Sequence, residues 1–289
     1  MKQPVFTGAC TALVTPFLGD QVNYPLLEQL IQRQIDAGIP AVVLCGTTGE
    51  SPTLSDCEKI EIIRRAKAYA TGRCQIIAGT GSNDTQHTIA LSKAAQRAGA
   101  DGLLVVSPYY NKATEEGLIT HYSAIAAAVQ IPIVVYNVPS RTGLDIPVSV
   151  YQCLAQLPNI AGVKEASTDI LKAAAIRRTC PRDFALYSGN DHQAVAVMAL
   201  GGAGVISVVS NVLPEQTQAM AQAALDGDFD TAADLQLSLL PLLDVLFREV
   251  SPIPVKAAMK CIGYDCGNCR LPLTPAAPET IAQLKKLLT

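Results

Sequence analysis

Ile160-Ala161-Gly162-Val163-Lys164-Glu165-Ala166-Ser167 has the pattern of a strand buried on both faces. A short apolar run follows the turn signal Leu157-Pro158-Asn159 and gives way to polar residues. Lys164 stands near the carboxyl end of that run, where desolvating an ammonium without a partner is costly. Two readings compete. In one, the side chain snorkels to solvent or pairs with an acid such as Glu165. In the other, burial favours the neutral amine, a nucleophile able to attack a carbonyl.

Working outward, apolar runs and amphipathic stretches alternate along the first three-quarters of the chain. Strand-like runs fall at residues 10–14, 41–45, 75–78, 102–106, 131–136, 161–164, 185–187 and 204–208. Segments of helical period fall between them, among them 24–37, 55–70, 84–98 and 117–129, and residues 214–225 follow the last strand. Ser55 with Glu58 forms a capping-box pattern, and Gly38, Gly72 and Gly99 fit helix stops. Strands that each precede a helix, eight in all, predict an α/β fold, a (β/α)8 barrel. The competitor is a doubly wound open sheet, which usually carries a Gly-rich turn after its first strand. Here that position reads Thr15-Pro16-Phe17. Beyond Asp226 the pattern becomes helical, with expected helices at 229–250 (kinked near Pro241), 255–261 and 278–288. The predicted organisation is a catalytic barrel over 1–225 and a small C-terminal helical appendage over 226–289, too short and proline-broken to carry its own catalytic site.

Composition narrows the class. Hydrophobic residues make up 49% and charged ones 16%, which suits a well-buried α/β enzyme. The net charge of −3 and the lack of a basic run argue against a nucleic-acid partner. No apolar run approaches the ~20 residues of a membrane span, and Met1-Lys2-Gln3-Pro4 lacks a signal-peptide core, so the expected location is cytoplasmic. Nine cysteines, mostly inside apolar segments, fit free thiols in a reducing compartment. Cys261, Cys266 and Cys269 offer three sulfurs with no second CxxC and no adjacent histidine. His87, His121 and His192 show no ligand spacing, so no metal site is expected.

In a barrel, chemistry gathers at the carboxyl ends of the strands. After the second strand, Gly46-Thr47-Thr48-Gly49-Glu50-Ser51 is either an anion cradle of hydroxyls and backbone N–H groups or a capped turn. Ser107-Pro108-Tyr109-Tyr110-Asn111 follows the fourth strand, and the fifth ends in Tyr136-Asn137-Val138-Pro139-Ser140-Arg141-Thr142-Gly143. A phenol beside an amine is a workable proton shuttle, and a guanidinium is a bidentate clamp for a carboxylate. Each alone also fits a packed ring or a surface cation. Ser188-Gly189-Asn190-Asp191 and residues 207–211, after the seventh and eighth strands, are weaker signals.

Together these residues resemble the pyruvate-dependent class I aldolase family of Schiff-base-forming (β/α)8 lyases, over nearly the whole chain. The likeness extends through Gly162-Val163-Lys164-Glu165-Ala166, Gly204-Val205-Ile206-Ser207 and Pro252-Ile253-Pro254-Val255-Lys256. Thr47-Thr48 and Pro139–Gly143 resemble the branch that condenses pyruvate with aspartate 4-semialdehyde in lysine and diaminopimelate biosynthesis. The alternative is a sister activity, N-acetylneuraminate lyase or a 2-keto-3-deoxy sugar acid aldolase, which shares the lysine and tyrosine. The resemblance implies that Lys164 forms the imine and Tyr136 shuttles protons. It implies that Thr47 links Tyr136 to Tyr110, which reaches in from a neighbouring subunit. Thr48, Arg141, Ile206 and Gly189 would bind substrate. It further implies no cofactor and a homotetramer, a dimer of dimers. A regulatory pocket for lysine would match Ser51, Lys59, Asn83, His87 and Tyr109. Lys59 and His87 stand there in place of groups suited to receive an amine, so weak or absent lysine inhibition is expected.

Overall fold

The computed structural model describes residues 2–288. Its centre is a ring of parallel strands: β1 (Gly8–Ala12), β2 (Ala41–Leu44), β3 (Gln75–Gly79), β4 (Gly102–Val106), β5 (Ile133–Asn137), β6 (Ile160–Glu165), β7 (Ala185–Ser188) and β8 (Gly204–Ser207). Each pairs with its sequence neighbours, and β1 closes the ring, with Cys10 opposite Ile206 on one side and Ala41 on the other. Closure excludes the open sheet. The fold is the expected (β/α)8 barrel with helices beyond it.

Runs of Val, Ile and Leu suit strands covered on both faces, as a parallel sheet requires. Alternate residues serve two cores. Cys10, Val43, Ile77, Leu104, Val134 and Ile206 fill the barrel, while Val42, Ile76, Leu103, Val135 and Val163 meet the surrounding helices. The amino-terminal end of the barrel is stoppered. Phe6 stacks on Tyr187 with ring centroids 4.4 Å apart, and the Tyr187 hydroxyl donates to the Phe6 carbonyl at 2.9 Å. Chemistry is left the opposite mouth.

The periodic helices form close to expectation, at Tyr24–Asp36, Asp56–Ala70, Thr85–Arg97, Glu115–Ala128 and Pro214–Leu225. The capping box is made. The Glu58 N–H donates to Ser55 Oγ at 3.2 Å and the Ser55 N–H to Glu58 Oε2 at 2.8 Å. In the appendage, Phe229–Leu246 runs continuously through Pro241 and stops short of Val250; Ile253–Cys261 and Pro278–Leu288 follow. The periodicity did not reveal Val148–Leu154, Ile170–Thr179 or Ala194–Ala199, nor the ribbon of Phe17–Leu18 with Gln21–Val22. These are short, the helices of six to ten residues making fewer than three turns, which gives the 3.6-residue pattern little length in which to show.

Candidate active site

Tyr136 on β5 and Lys164 on β6 are register partners, and both turn into the barrel mouth. Lys164 is 5% exposed, with Nζ 4.3 Å from the centre of the Tyr136 ring. Among the described residues, no carboxylate and no hydrogen-bond acceptor holds that nitrogen. The competing readings of Lys164 separate here. Glu165 lies one residue on, and one step along a strand reverses the face. Its carboxyl group instead accepts from Asn137 Nδ2 at 3.0 Å to each oxygen and from the Ser167 N–H at 2.7 Å. The Lys164–Glu165 pair does not form. Gly189, at the end of β7, gives the lysine stem its seat: a Cβ there would lie 3.0 Å from both Cγ and Cε of Lys164 and 2.6 Å from Ala166 Cβ.

The turn after β2 carries Thr47, half-buried, and Thr48, buried. It is folded on itself by the Glu50 N–H to the Thr47 carbonyl (3.1 Å) and the Ser51 N–H to the Gly46 carbonyl (3.2 Å), while Thr15 Oγ1 donates to the Gly49 carbonyl at 2.7 Å. Cys45 and Glu50 bracket it with left-handed backbones, φ 55° and 58°. Non-glycine residues take that conformation only where the surroundings impose it. At Glu50 the imposing group comes from the appendage. Lys256 Nζ lies 2.6 Å from Glu50 Oε1, both side chains are almost wholly buried, and the Arg270 N–H donates to Oε2 at 2.8 Å. Sequence reasoning missed this ion pair. Its only signal was the Pro252–Lys256 run, which carries no pairing information of its own.

Arg141 sits in the short helix Pro139–Thr142 after β5, where its Nη2 donates to the Ser251 carbonyl of the appendage at 3.1 Å. Ile206 lies on β8 inside the barrel. Tyr110 stands apart from the others: it is 91% exposed with φ 70°. A cavity of about 620 Å³ is lined by Thr47, Tyr136 and Arg141 and also by Ser51, Lys59, Asn83, His87 and Tyr109, so part of the expected site opens into the expected regulatory pocket, while Lys164, Thr48, Gly189 and Ile206 lie off its wall. In its outer part Asp56 is already engaged, by His87 Nε2 at 2.8 Å and Lys59 Nζ at 3.7 Å. The His87 bond holds the Asp56 carboxyl below its ordinary range.

Asp191, flagged only weakly by sequence, is buried beyond β7. Its Oδ2 accepts from the Val208 and Val209 N–H groups at 2.8 and 3.2 Å, and burial raises its carboxyl above the usual value. All nine cysteines are free thiols. Burial pushes Cys266 up to about 12 and Cys269 up to about 11. Among the described residues, no cluster of three or more His, Cys, Asp or Glu could hold a metal ion, and no helix is long and apolar enough to cross a membrane.

Fold and site define the class: a closed (β/α)8 barrel that brings a buried amine and a phenol together at the carboxyl-terminal mouth. The comparisons narrow it. The chain belongs to the dihydrodipicolinate synthetase family, whose model matches residues 5–289. It is 47% identical over 288 residues to the 4-hydroxy-tetrahydrodipicolinate synthase of Acetivibrio thermocellus, covering 100% of this chain and 98% of that one. The synthase of Caldicellulosiruptor saccharolyticus is 48% identical, over 99% of this chain and 97% of the relative. Among solved structures, dihydrodipicolinate synthase from Aquifex aeolicus superimposes with a TM-score of 0.96 at 43% identity, covering 98% and 97% of the two chains. The chloride-inhibited Acinetobacter baumannii enzyme, solved with pyruvate, gives 0.96 at 41%, covering 98% of each.

Proposed function

We propose that this chain condenses pyruvate with L-aspartate 4-semialdehyde to 4-hydroxy-tetrahydrodipicolinate, a step of lysine and diaminopimelate biosynthesis, through an imine on Lys164. The observation that carries this reading is the unpaired Lys164 Nζ, buried at the mouth and 4.3 Å from the ring centre of Tyr136. The amine attacks the ketone carbon of pyruvate, and the carbinolamine loses water with a proton supplied by the Tyr136 hydroxyl. Loss of a methyl proton gives the enamine, whose carbon attacks the aldehyde. The semialdehyde's amino group then displaces Lys164 as the ring closes. The imine is itself the electron sink, so no cofactor is required.

Thr48 and the surrounding N–H groups hold the pyruvate carboxylate, Arg141 the carboxylate of the semialdehyde, and the Ile206 carbonyl and Gly189 line the pocket. Thr47 passes protons between Tyr136 and Tyr110 of a neighbouring subunit. The exposure of Tyr110 supports that role, and with it a homotetramer built as a dimer of dimers. The nine free thiols fit the reducing cytoplasm. In the outer cavity Lys59 repels an amine, and Asp56, already bonded to His87, is poorly placed to receive one. Lysine therefore inhibits weakly or not at all. Half-inhibition at sub-millimolar lysine would contradict that.

Coupled assays offering pyruvate with either aspartate semialdehyde or N-acetylmannosamine test the substrate. Turnover of the semialdehyde is expected. Turnover of N-acetylmannosamine alone would replace this reading with the lyase.

A further inference from the structure

Behind the Tyr136–Lys164 pair, on the opposite face of the same two strands, a second pair of register partners meets: Asn137 on β5 and Glu165 on β6. Asn137 is fully buried and Glu165 is 4% exposed. A carboxyl group so deep is costly unless its oxygens are satisfied, and here neutral donors satisfy them. Asn137 Nδ2 reaches both oxygens at 3.0 Å, the Ser167 N–H reaches Oε1 at 2.7 Å and the Tyr151 hydroxyl faces Oε2 at 3.4 Å. No cation pairs with Glu165 among the described residues. The nearby Lys172 pairs with Asp145, which takes the other donor position of Asn137 Nδ2 at 2.8 Å. Asn137 Oδ1 accepts from the Ile146 N–H at 3.1 Å, so every polar atom of the asparagine side chain is engaged.

We infer that Asn137 and Glu165 are positioning residues, a side-chain strap across β5 and β6 that fixes the separation of the Tyr136 ring from the Lys164 amine. The inference rests on the proposed imine chemistry. Its geometry is direct. The strap joins the two strands one residue beyond the reacting pair, at the last register pair of their ladder. The backbone of the same two residues extends the restraint: the Ala166 N–H donates to the Asn137 carbonyl at 2.9 Å, and the Gly189 N–H to the Glu165 carbonyl at 2.7 Å. Gly189 is the residue against which the lysine stem lies. A shift of the Glu165 carboxyl therefore moves the strand under Lys164 and the wall beside it together. Shape, not charge, is what the strap supplies.

Two substitutions of one residue separate these terms. Glu165→Gln removes the charge and keeps the length. Its oxygen can face Asn137 and Ser167, and its nitrogen can face the Tyr151 hydroxyl, which then accepts. Glu165→Asp keeps an acid and shortens the reach by one methylene. The readout is the single-turnover rate at which borohydride traps pyruvate on the enzyme, with kcat and KM for both substrates and a melting curve for each variant. Wild-type trapping tests the imine reading by itself; without it that reading fails before the strap is examined. Given wild-type trapping, Glu165→Asp should slow it about 10- to 100-fold, the scale of an ångström of misplacement. Its KM for the semialdehyde should be unchanged. Glu165→Gln should restore most of the rate. Equal loss in both folded variants would assign the effect to charge, and wild-type rates in Glu165→Asp would remove any effect. Failure of both to fold would make the strap a support of the barrel alone. Each of these outcomes overturns the proposal.

Discussion

Replacing Gly189 with alanine adds one methyl group to the wall on which Lys164 rests. The backbone of Gly189 lies outside the left-handed region, so alanine meets no conformational obstacle and the effect is steric. The new Cβ would stand 2.6 Å from Ala166 Cβ and 3.0 Å from Cγ and Cε of Lys164, all below the 3.4 Å at which ordinary contact begins. Ala166 has no rotamer with which to yield, because its methyl is fixed to the backbone. The lysine stem must therefore give way, together with the end of β7. Overpacking of this kind costs roughly 1–3 kcal/mol, or roughly 2–4 °C in Tm per kcal/mol in a chain of this class of size. Displacing the amine by about 1 Å costs on the order of 10²-fold in rate. The rate loss should thus far exceed what the modest fall in stability implies. Borohydride trapping with pyruvate, followed by mass spectrometry over time, reads the rate; calorimetry reads the stability. An alanine variant that traps pyruvate as fast as wild type would refute the seat assigned to the lysine stem.

Other perturbations follow from the same geometry. Lys256→Met leaves Glu50 buried without its cation, which costs about 3–5 kcal/mol. Denaturant titration should show that loss, KM for pyruvate should rise as the Thr47–Thr48 turn loosens, and the Lys256→Met, Glu50→Gln double variant should recover part of both. Burial lowers His121 from its ordinary 6.5 to about 4, so the unfolded chain takes up the proton first. Its contribution to stability is intact above about pH 6.5 and declines toward pH 4; stability curves of His121→Gln should be flatter across that window. Iodoacetamide at mildly alkaline pH should label the exposed Cys57 and Cys153 before Cys266, whose thiol burial raises to about 12. Early labelling of Cys266 would contradict its burial.

How much of this was legible in the sequence depended on whether the signal was local. The strands of the barrel announced themselves because each is a short apolar run between turn residues, and the capping box of Ser55 and Glu58 because its two partners are three residues apart. Lys164 stood out because a cation is anomalous in such a run. Its pairing did not: which face Glu165 takes is decided by strand register, and the sequence alone left Lys164–Glu165 pairing open. The Lys256–Glu50 contact joins residues far apart in the chain, and nothing in either neighbourhood marks it. The same holds for Asn137 with Glu165, which adjoin the conspicuous Tyr136 and Lys164 yet read singly as ordinary polar residues at strand ends. The appendage likewise read as lacking chemistry of its own; its contacts with Glu50 and Arg141 show it bracing the mouth from outside.

The most direct test is peptide mapping of the enzyme after borohydride reduction in the presence of pyruvate. A single carboxyethyl-lysine is expected, located at Lys164, that requires pyruvate, is lost in Lys164→Ala and forms far more slowly in Tyr136→Phe. Turnover with no reduced adduct, or an adduct on some other lysine while Lys164→Ala remains active, would contradict it.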